Sequence, residues 1–187
     1  MLLSSLKLIY SLQAFQMSNA FELSVAETMV ENSLQLKEVA GDGNCFFASL
    51  VICLGALPGE AQKTSVRALR HRFANHLAAR VDELAPFFSA DGDTEEEQRT
   101  EYLAAVKKIR QSRFWNNQII DLVVGCATEV LKMNVSVFDI DYEGNITEYE
   151  HLYEPDGEDK EEKVWPTVRL LRQDDSHFNA FVVVEDK

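Results

Sequence analysis

Two short stretches of this 187-residue sequence hold residue types that could act together as nucleophile and base: Gly41-Asp42-Gly43-Asn44-Cys45 and His177-Phe178-Asn179. Cys45 opens a nearly continuous apolar run, Cys45-Phe46-Phe47-Ala48-Ser49-Leu50-Val51-Ile52-Cys53-Leu54, closed by Gly55 and Pro58. That pattern predicts a buried helix of about three turns starting at the cysteine. The positive end of a helix dipole and the unpaired N–H groups of its first turn stabilise a thiolate at such a place. The loop amides around Gly43, Asn44 and Cys45 can face the oxyanion that forms when a thiolate attacks a carbonyl. The two glycines let the backbone come close to a substrate. A cysteine taken alone is more often a small buried hydrophobe. Cys53 and Cys126 fit that description, because they lie inside apolar helical runs with no glycine loop in front of them.

A cysteine nucleophile needs a base within hydrogen-bond reach and a third group that fixes the imidazole. His177 and Asn179 offer both. At the head of a strand, residues two apart point to the same face, so Asn179 can sit beside His177 and orient its ring while Phe178 packs into the core. His71 and His76 fall on a charged amphipathic helix and His151 in a polar stretch, which makes them surface or packing residues.

The rest of the chain predicts the elements that position these groups. Mixed apolar spacing from Leu23 to Leu36 predicts a helix ahead of the glycine loop. A second amphipathic helix is expected from Thr64 to Arg80, with Val66, Leu69, Phe73 and Leu77 on one face and Arg67, Arg70 and Arg72 on the other. Asp91-Gly92-Asp93 is a turn, and Thr94 with Glu97 forms a capping-box signature for a helix reaching Ile109. Phe114-Trp115-Asn116-Asn117 is a loop before an apolar helix from Ile119 to Leu131. Strand patterns follow: Val135 to Ile140, a turn at Glu143-Gly144-Asn145, and a hairpin arm from Ile146 to Tyr149. Val164 to Leu171 predicts another strand, which Pro166 would place at an edge or bulge. Phe178 to Val184 is the strongest strand pattern of all.

Composition limits the function classes. The length suits one compact core. Acidic residues number 31 against 18 basic, a net charge of -13, which repels nucleic acid and anionic membrane surfaces and attracts basic partners. From Glu154 to Glu162 the acidic residues crowd together, as in a solvated loop. Three cysteines and four scattered histidines make neither a disulfide framework nor a metal-ligand spacing, so a reducing, cytoplasmic compartment and no metal are expected. The apolar stretch Leu2 to Phe15 is broken by polar residues and lacks a charged start, unlike a secretory signal. No run is long enough to span a bilayer. Residues 1–30 are read as an N-terminal lead, helical or partly flexible, and 31–187 as the catalytic domain of a monomer.

The stretch Gly41-Asp42-Gly43-Asn44-Cys45-Phe46-Phe47-Ala48-Ser49-Leu50 resembles the nucleophile motif of the ovarian-tumour (OTU) cysteine proteases, written D-G-N-C-L-F. Trp115 before a helix, the strand Val135 to Phe138 and the ending His177-Phe178-Asn179-Ala180, similar to H-[YF]-[ND], follow in the family's order. The resemblance implies an α+β, papain-like fold with a central β-sheet flanked by helices on both sides. It implies a deubiquitinase that cleaves isopeptide or peptide bonds at the ubiquitin C-terminus without a cofactor. Cys45 would be the nucleophile, His177 the base and Asn179 its orienting partner. Asp42 would order the loop and oxyanion site, and in some members the matching aspartate supports the histidine. The chain departs from the pattern at Asn116-Asn117 and in carrying Asn at the third position, which can accept the imidazole N–H but brings no charge to an imidazolium. The implied partner is ubiquitin or polyubiquitin, whose basic tail the acidic loop Glu154 to Glu162 could hold. A protease for a ubiquitin-like modifier and a non-catalytic ubiquitin-binding module are the alternatives. The host reading favoured is an effector delivered by a bacterium into a eukaryotic cell, over a free-standing cellular enzyme.

Overall fold

The structure, a computed structural model, describes residues 22–57, 64–88, 94–115, 117–141, 143–155, 164–174 and 176–184. Most of the N-terminal lead, Pro58, the turn at Asp91-Gly92-Asp93, Asn116 and most of the acidic run Glu154 to Glu162 lie outside the described residues.

A five-stranded sheet organises the chain, in the order β1-β5-β4-β2-β3, with β1 at Leu34–Lys37, β2 at Asn134–Ile140, β3 at Ile146–His151, β4 at Thr167–Gln173 and β5 at His177–Val183. β2 and β4 run parallel, and every other pairing is antiparallel. The central strands are covered on both faces. On one face, Val135, Val137, Val168, Leu170, Phe178 and Ala180 join a large core with Phe46, Phe47, Leu50, Phe73 and Tyr102. On the other, Phe138, Leu171 and Phe181 meet Val25 and Met29 of α1, a helix over 22–31. Helices therefore flank the sheet on both sides, and the last residues of the N-terminal lead pack with the domain. Burying one such aromatic or aliphatic side chain is worth about 1.5–3 kcal/mol, so both layers hold the sheet in place. Among the described residues no helix is long and apolar enough to cross a membrane.

The helices on the larger core are α2 at Cys45–Ala56, α3 at Val66–Ala79, the single turn α4 at Val81–Leu84, α5 at Glu95–Ile109, α6 at Asn117–Gly125 and α7 at Ala127–Leu131. α5 has the expected capping box between Thr94 and Glu97, acidic residues in its first turn, and Lys107 and Lys108 in its last, all favourable to the dipole. α3 is capped by Ser65, whose hydroxyl accepts the Ala68 N–H at 3.2 Å.

Four expectations need correcting. The helix expected through Leu36 ends earlier, because Ser33 turns left-handed (φ 51°) and Leu34 and Leu36 then take up a strand's alternation at the sheet edge. The helix expected from Ile119 to Leu131 breaks at Cys126, which leaves helical geometry (φ -88°, ψ 3°). Pro166 does not put its strand at an edge. β4 begins just after the proline and lies between β5 and β2, and the Pro166 carbonyl accepts the Asn134 N–H at 3.0 Å. The fourth correction is Arg70, expected on the solvent face of α3 and found 1% exposed.

Candidate active site

α2 starts at Cys45, and the residue at its N-cap position, Asn44, does not cap it. An N-cap asparagine ordinarily turns its side-chain oxygen onto the first-turn amides. Here that oxygen faces away and accepts the Arg70 Nε–H at 3.1 Å and the Arg113 backbone N–H at 3.0 Å. The Asn44 Nδ2 donates to Asp42 Oδ2 at 3.2 Å. Only from Ala48, whose N–H reaches the Asn44 carbonyl at 2.9 Å, does the helical ladder begin. The N–H of Cys45 thus has no acceptor among the described residues, and the positive end of the dipole is left for another anion.

The loop before the cysteine is held from both sides. Asp42 Oδ1 accepts the Asn44 N–H at 3.0 Å. That bond, with the Asn44 amide and the Arg113 guanidinium nearby, keeps the Asp42 carboxyl below its usual value. Gly43 is left-handed (φ 76°), and a β-carbon on it would stand 2.8 Å from the Arg113 carbonyl carbon, so only glycine fits this crossing. Behind the loop, Arg70 donates to the Gly43 carbonyl, and its guanidinium lies 4.5 Å from the Phe47 ring centre.

Cys45 is 3% exposed, and its Sγ stands 3.7 Å from the carbonyl oxygen of Ser176, the residue before His177. His177 opens β5, paired with Gln173 of β4. Gly41, four positions before the cysteine, lies against the imidazole: a β-carbon there would be 3.4 Å from His177 Nδ1. One loop thus carries the cysteine at its end and touches the histidine at its start. Phe178 points into the core and packs on Phe46 and Trp115, with ring centres 5.2 and 5.9 Å away. Asn179 is 4% exposed. Its Oδ1 accepts the Val39 N–H at 2.8 Å and its Nδ2 donates to Gln173 Oε1 at 2.7 Å. Among the described residues no hydrogen bond joins Asn179 or Asp42 to His177.

The other two thiols are of a different kind. Burial pushes Cys53 up to about 11 and Cys126 up to about 12. The Cys53 sulfur is also held against the Arg169 carbonyl at 3.1 Å. His71 is exposed, and His76 pairs with Glu129 at 3.1 Å, in a surface cluster with Arg80. Among the described residues no group of His, Cys, Asp and Glu side chains could hold a metal ion.

The family profile described as OTU-like cysteine protease matches residues 40–178. The chain belongs to that family. No curated protein matches the chain by sequence. Among solved structures, the OTU domain of OTUD1 superposes with a TM-score of 0.61 at 17% identity, over 90% of this chain and 98% of that one. The viral OTU domain protease of Taggert virus gives 0.53 at 18%, over 84% of each chain. The Hazara virus OTU bound to ubiquitin gives 0.50 at 16%, over 82% and 83%. At these identities the likeness is one of fold, and it agrees with the expected central sheet between helices.

Sequence reasoning missed Arg70 and Arg113. A signal for Arg70 was present: Val66, Arg70, Phe73 and Leu77 recur at i, i+4, i+7 and i+11, the spacing of the buried face. Arg113, left-handed at φ 63°, gave no such sign.

Proposed function

We propose that this OTU-family chain hydrolyses isopeptide or peptide bonds at the C-terminus of ubiquitin through Cys45, His177 and Asn179. The support is the way one loop gathers the two reacting groups. Cys45 Sγ faces the strand head that carries His177, while Gly41 rests on the His177 ring. Among the relatives by fold, the Hazara virus OTU is described as bound to ubiquitin.

In the reaction, His177 takes the Sγ proton and the sulfur attacks the scissile carbonyl carbon. The carbonyl oxygen becomes an oxyanion that the Cys45 N–H, which meets no acceptor among the described residues, can receive. His177 then returns the proton to the departing amine, leaving a thioester on Cys45. Water, deprotonated by His177, attacks the thioester and releases the ubiquitin carboxylate and the thiol. Asn179 acts on His177 through the loop: it pins Val39, and with it the segment that lays Gly41 on the imidazole. Asp42 acts through Asn44.

The test is a ubiquitin probe with a C-terminal electrophile, incubated with the protein and with Cys45→Ala, Cys53→Ala and Cys126→Ala. An adduct lost only in Cys45→Ala is the expected result. No adduct from the folded parent overturns the deubiquitinase reading, and parallel probes built on ubiquitin-like modifiers then show whether another modifier is the substrate or the chain only binds.

A further inference from the structure

Arg70 is a buried charge with no carboxylate in contact among the described residues. It makes four hydrogen bonds: Nε to Asn44 Oδ1, one terminal nitrogen to the carbonyls of Ile109 at 2.8 Å and Phe114 at 3.1 Å, and the other to the Gly43 carbonyl. Burial pulls its pKa down, and the nearby Asp42 and Cys45 oppose that pull. A guanidinium taken out of water against neutral carbonyls stabilises a fold poorly compared with an apolar residue of the same volume. Capping the end of α5 accounts for the bond to Ile109, and the bond to Phe114 ties down the loop that follows the helix. The other two bonds go to the nucleophile loop.

Their effect falls on one peptide unit. Arg70 holds the carbonyl of the Gly43–Asn44 peptide and Asp42 holds its N–H. A peptide gripped at both ends resists flipping, and with the Asn44 side chain held by Arg70 and Arg113 and its carbonyl by the Ala48 N–H, the two dihedrals of Asn44 and so the direction of the next amide, that of Cys45, are set. Only a planar fork with several donors can reach Gly43, Asn44, Ile109 and Phe114 together, which a lysine ammonium cannot do.

We propose that Arg70 is a positioning residue for the proposed hydrolysis, locking the Gly43–Asn44 peptide so that the Cys45 N–H is presented to the oxyanion. The inference rests on the cysteine-protease reading for its kinetic consequence, but its geometric part can be measured without any substrate.

Arg70→Lys keeps a cation in place and removes the fork. Hydrolysis of a fluorogenic ubiquitin C-terminal amide is compared with alkylation of Cys45 by iodoacetamide, which needs the sulfur but forms no oxyanion. The expected result is a kcat lowered roughly 100-fold, the scale of losing one oxyanion donor. KM should change less than about threefold and the alkylation rate should stay close to the parent's. Amide hydrogen exchange, read by NMR, is expected to quicken about tenfold or more at Asn44, because a peptide no longer held at its Gly43 carbonyl can turn its N–H off Asp42, with β2 and β4 unchanged. An unchanged kcat in an active, folded enzyme, or kcat and alkylation falling in proportion, overturns the proposal. So does unchanged exchange at Asn44, whatever the activity. A parent protein inert towards the ubiquitin substrate overturns the ubiquitin reading instead, and the exchange result still decides the role of Arg70. If Arg70→Lys fails to fold, Arg70→Gln, which keeps a donor for the α5 carbonyls, is compared in the same way.

Discussion

Gly41 lies against the imidazole of His177, so that the loop delivering Cys45 is also the surface on which the histidine rests. The two residues are far apart in sequence and meet because β1 and β5 are paired. Lys37 of β1 stands opposite Ala180 of β5, and the chain leaving β1 passes Val39, fixed to Asn179, before reaching Gly41. A sheet register thereby sets a distance within the site.

The two loop glycines should respond differently to alanine. At Gly41 an added β-carbon sits in ordinary contact with the ring, 3.4 Å from Nδ1 and 3.7 Å from Cε1. Gly41→Ala is expected to fold and keep activity within about threefold, whereas Gly41→Val presses on the imidazole and loses it. At Gly43 the positive φ and the Arg113 backbone leave no such room. Gly43→Ala should cost about 1–3 kcal/mol and most of the turnover. Parallel denaturation curves and kcat measurements check the contrast; equal behaviour of the two alanine variants would count against this loop geometry.

The cysteines should separate by pH. Cys53 and Cys126 have thiols raised to about 11 and 12 by burial, so both stay protonated in the folded chain at pH 7 to 9. Since the thiolate is the reacting form, mass spectrometry after brief alkylation of the native protein in that range is expected to find label on Cys45 alone. Unfolding in denaturant should release the other two at pH 9, because outside the fold their usual value of 9.0 applies.

The sequence made the helix at Cys45 legible because nothing competes with its pattern: an apolar run behind two glycines has one buried solution, and α2 begins at the expected residue. The capping box of α5 was legible for the same reason, being wholly local. Breaks set by tertiary packing were not. Cys126 interrupts a run whose spacing looks continuous, and Leu34 and Leu36 become strand because β5 offers them partners. Within the site, the cysteine and histidine could be named from motif and order, but the partners of Asn179 could not. Alternation along β5 gave the right face for it; only the neighbouring strand and the loop from β1 say that Gln173 and Val39 are what it meets.

Asp42 should act on the loop more than on the histidine. Its carboxylate is held below its usual 3.8, first by the Asn44 N–H. A group whose folded value is depressed contributes above the unfolded value and stops contributing as pH falls through the lower folded one. The grip on Asn44 is therefore complete at neutral pH and is lost only below pH 3.8. Asp42→Asn turns an amide donor towards the Asn44 amide and removes the carboxylate 3.5 Å from Arg113 Nε. A fall in kcat of about tenfold, the scale of one hydrogen bond, is expected with no displacement of the pH–rate profile between pH 6 and 9. A profile that moves along the pH axis would mean that the aspartate acts on His177 directly.

Asn179 joins structure to chemistry. Replacing it by alanine leaves the part-buried Val39 N–H without its acceptor, at a cost of about 1 kcal/mol, and frees the segment that lays Gly41 on His177. Asn179→Ala should therefore lose stability and kcat together. Asn179→Asp keeps the acceptor for Val39, and Gln173 can rotate its amide to donate to the new carboxylate, so most of the stability should return. The kcat of Asn179→Asp then separates two ways of acting. If the residue works by pinning Val39, activity returns with stability. If it works by bonding the imidazole itself, a carboxylate in its place stabilises imidazolium more strongly than the amide, and kcat as a function of pH should change shape while the melting curve does not. Urea unfolding and pH–rate profiles on the three proteins read both quantities, and the expected outcome is recovery of the two together.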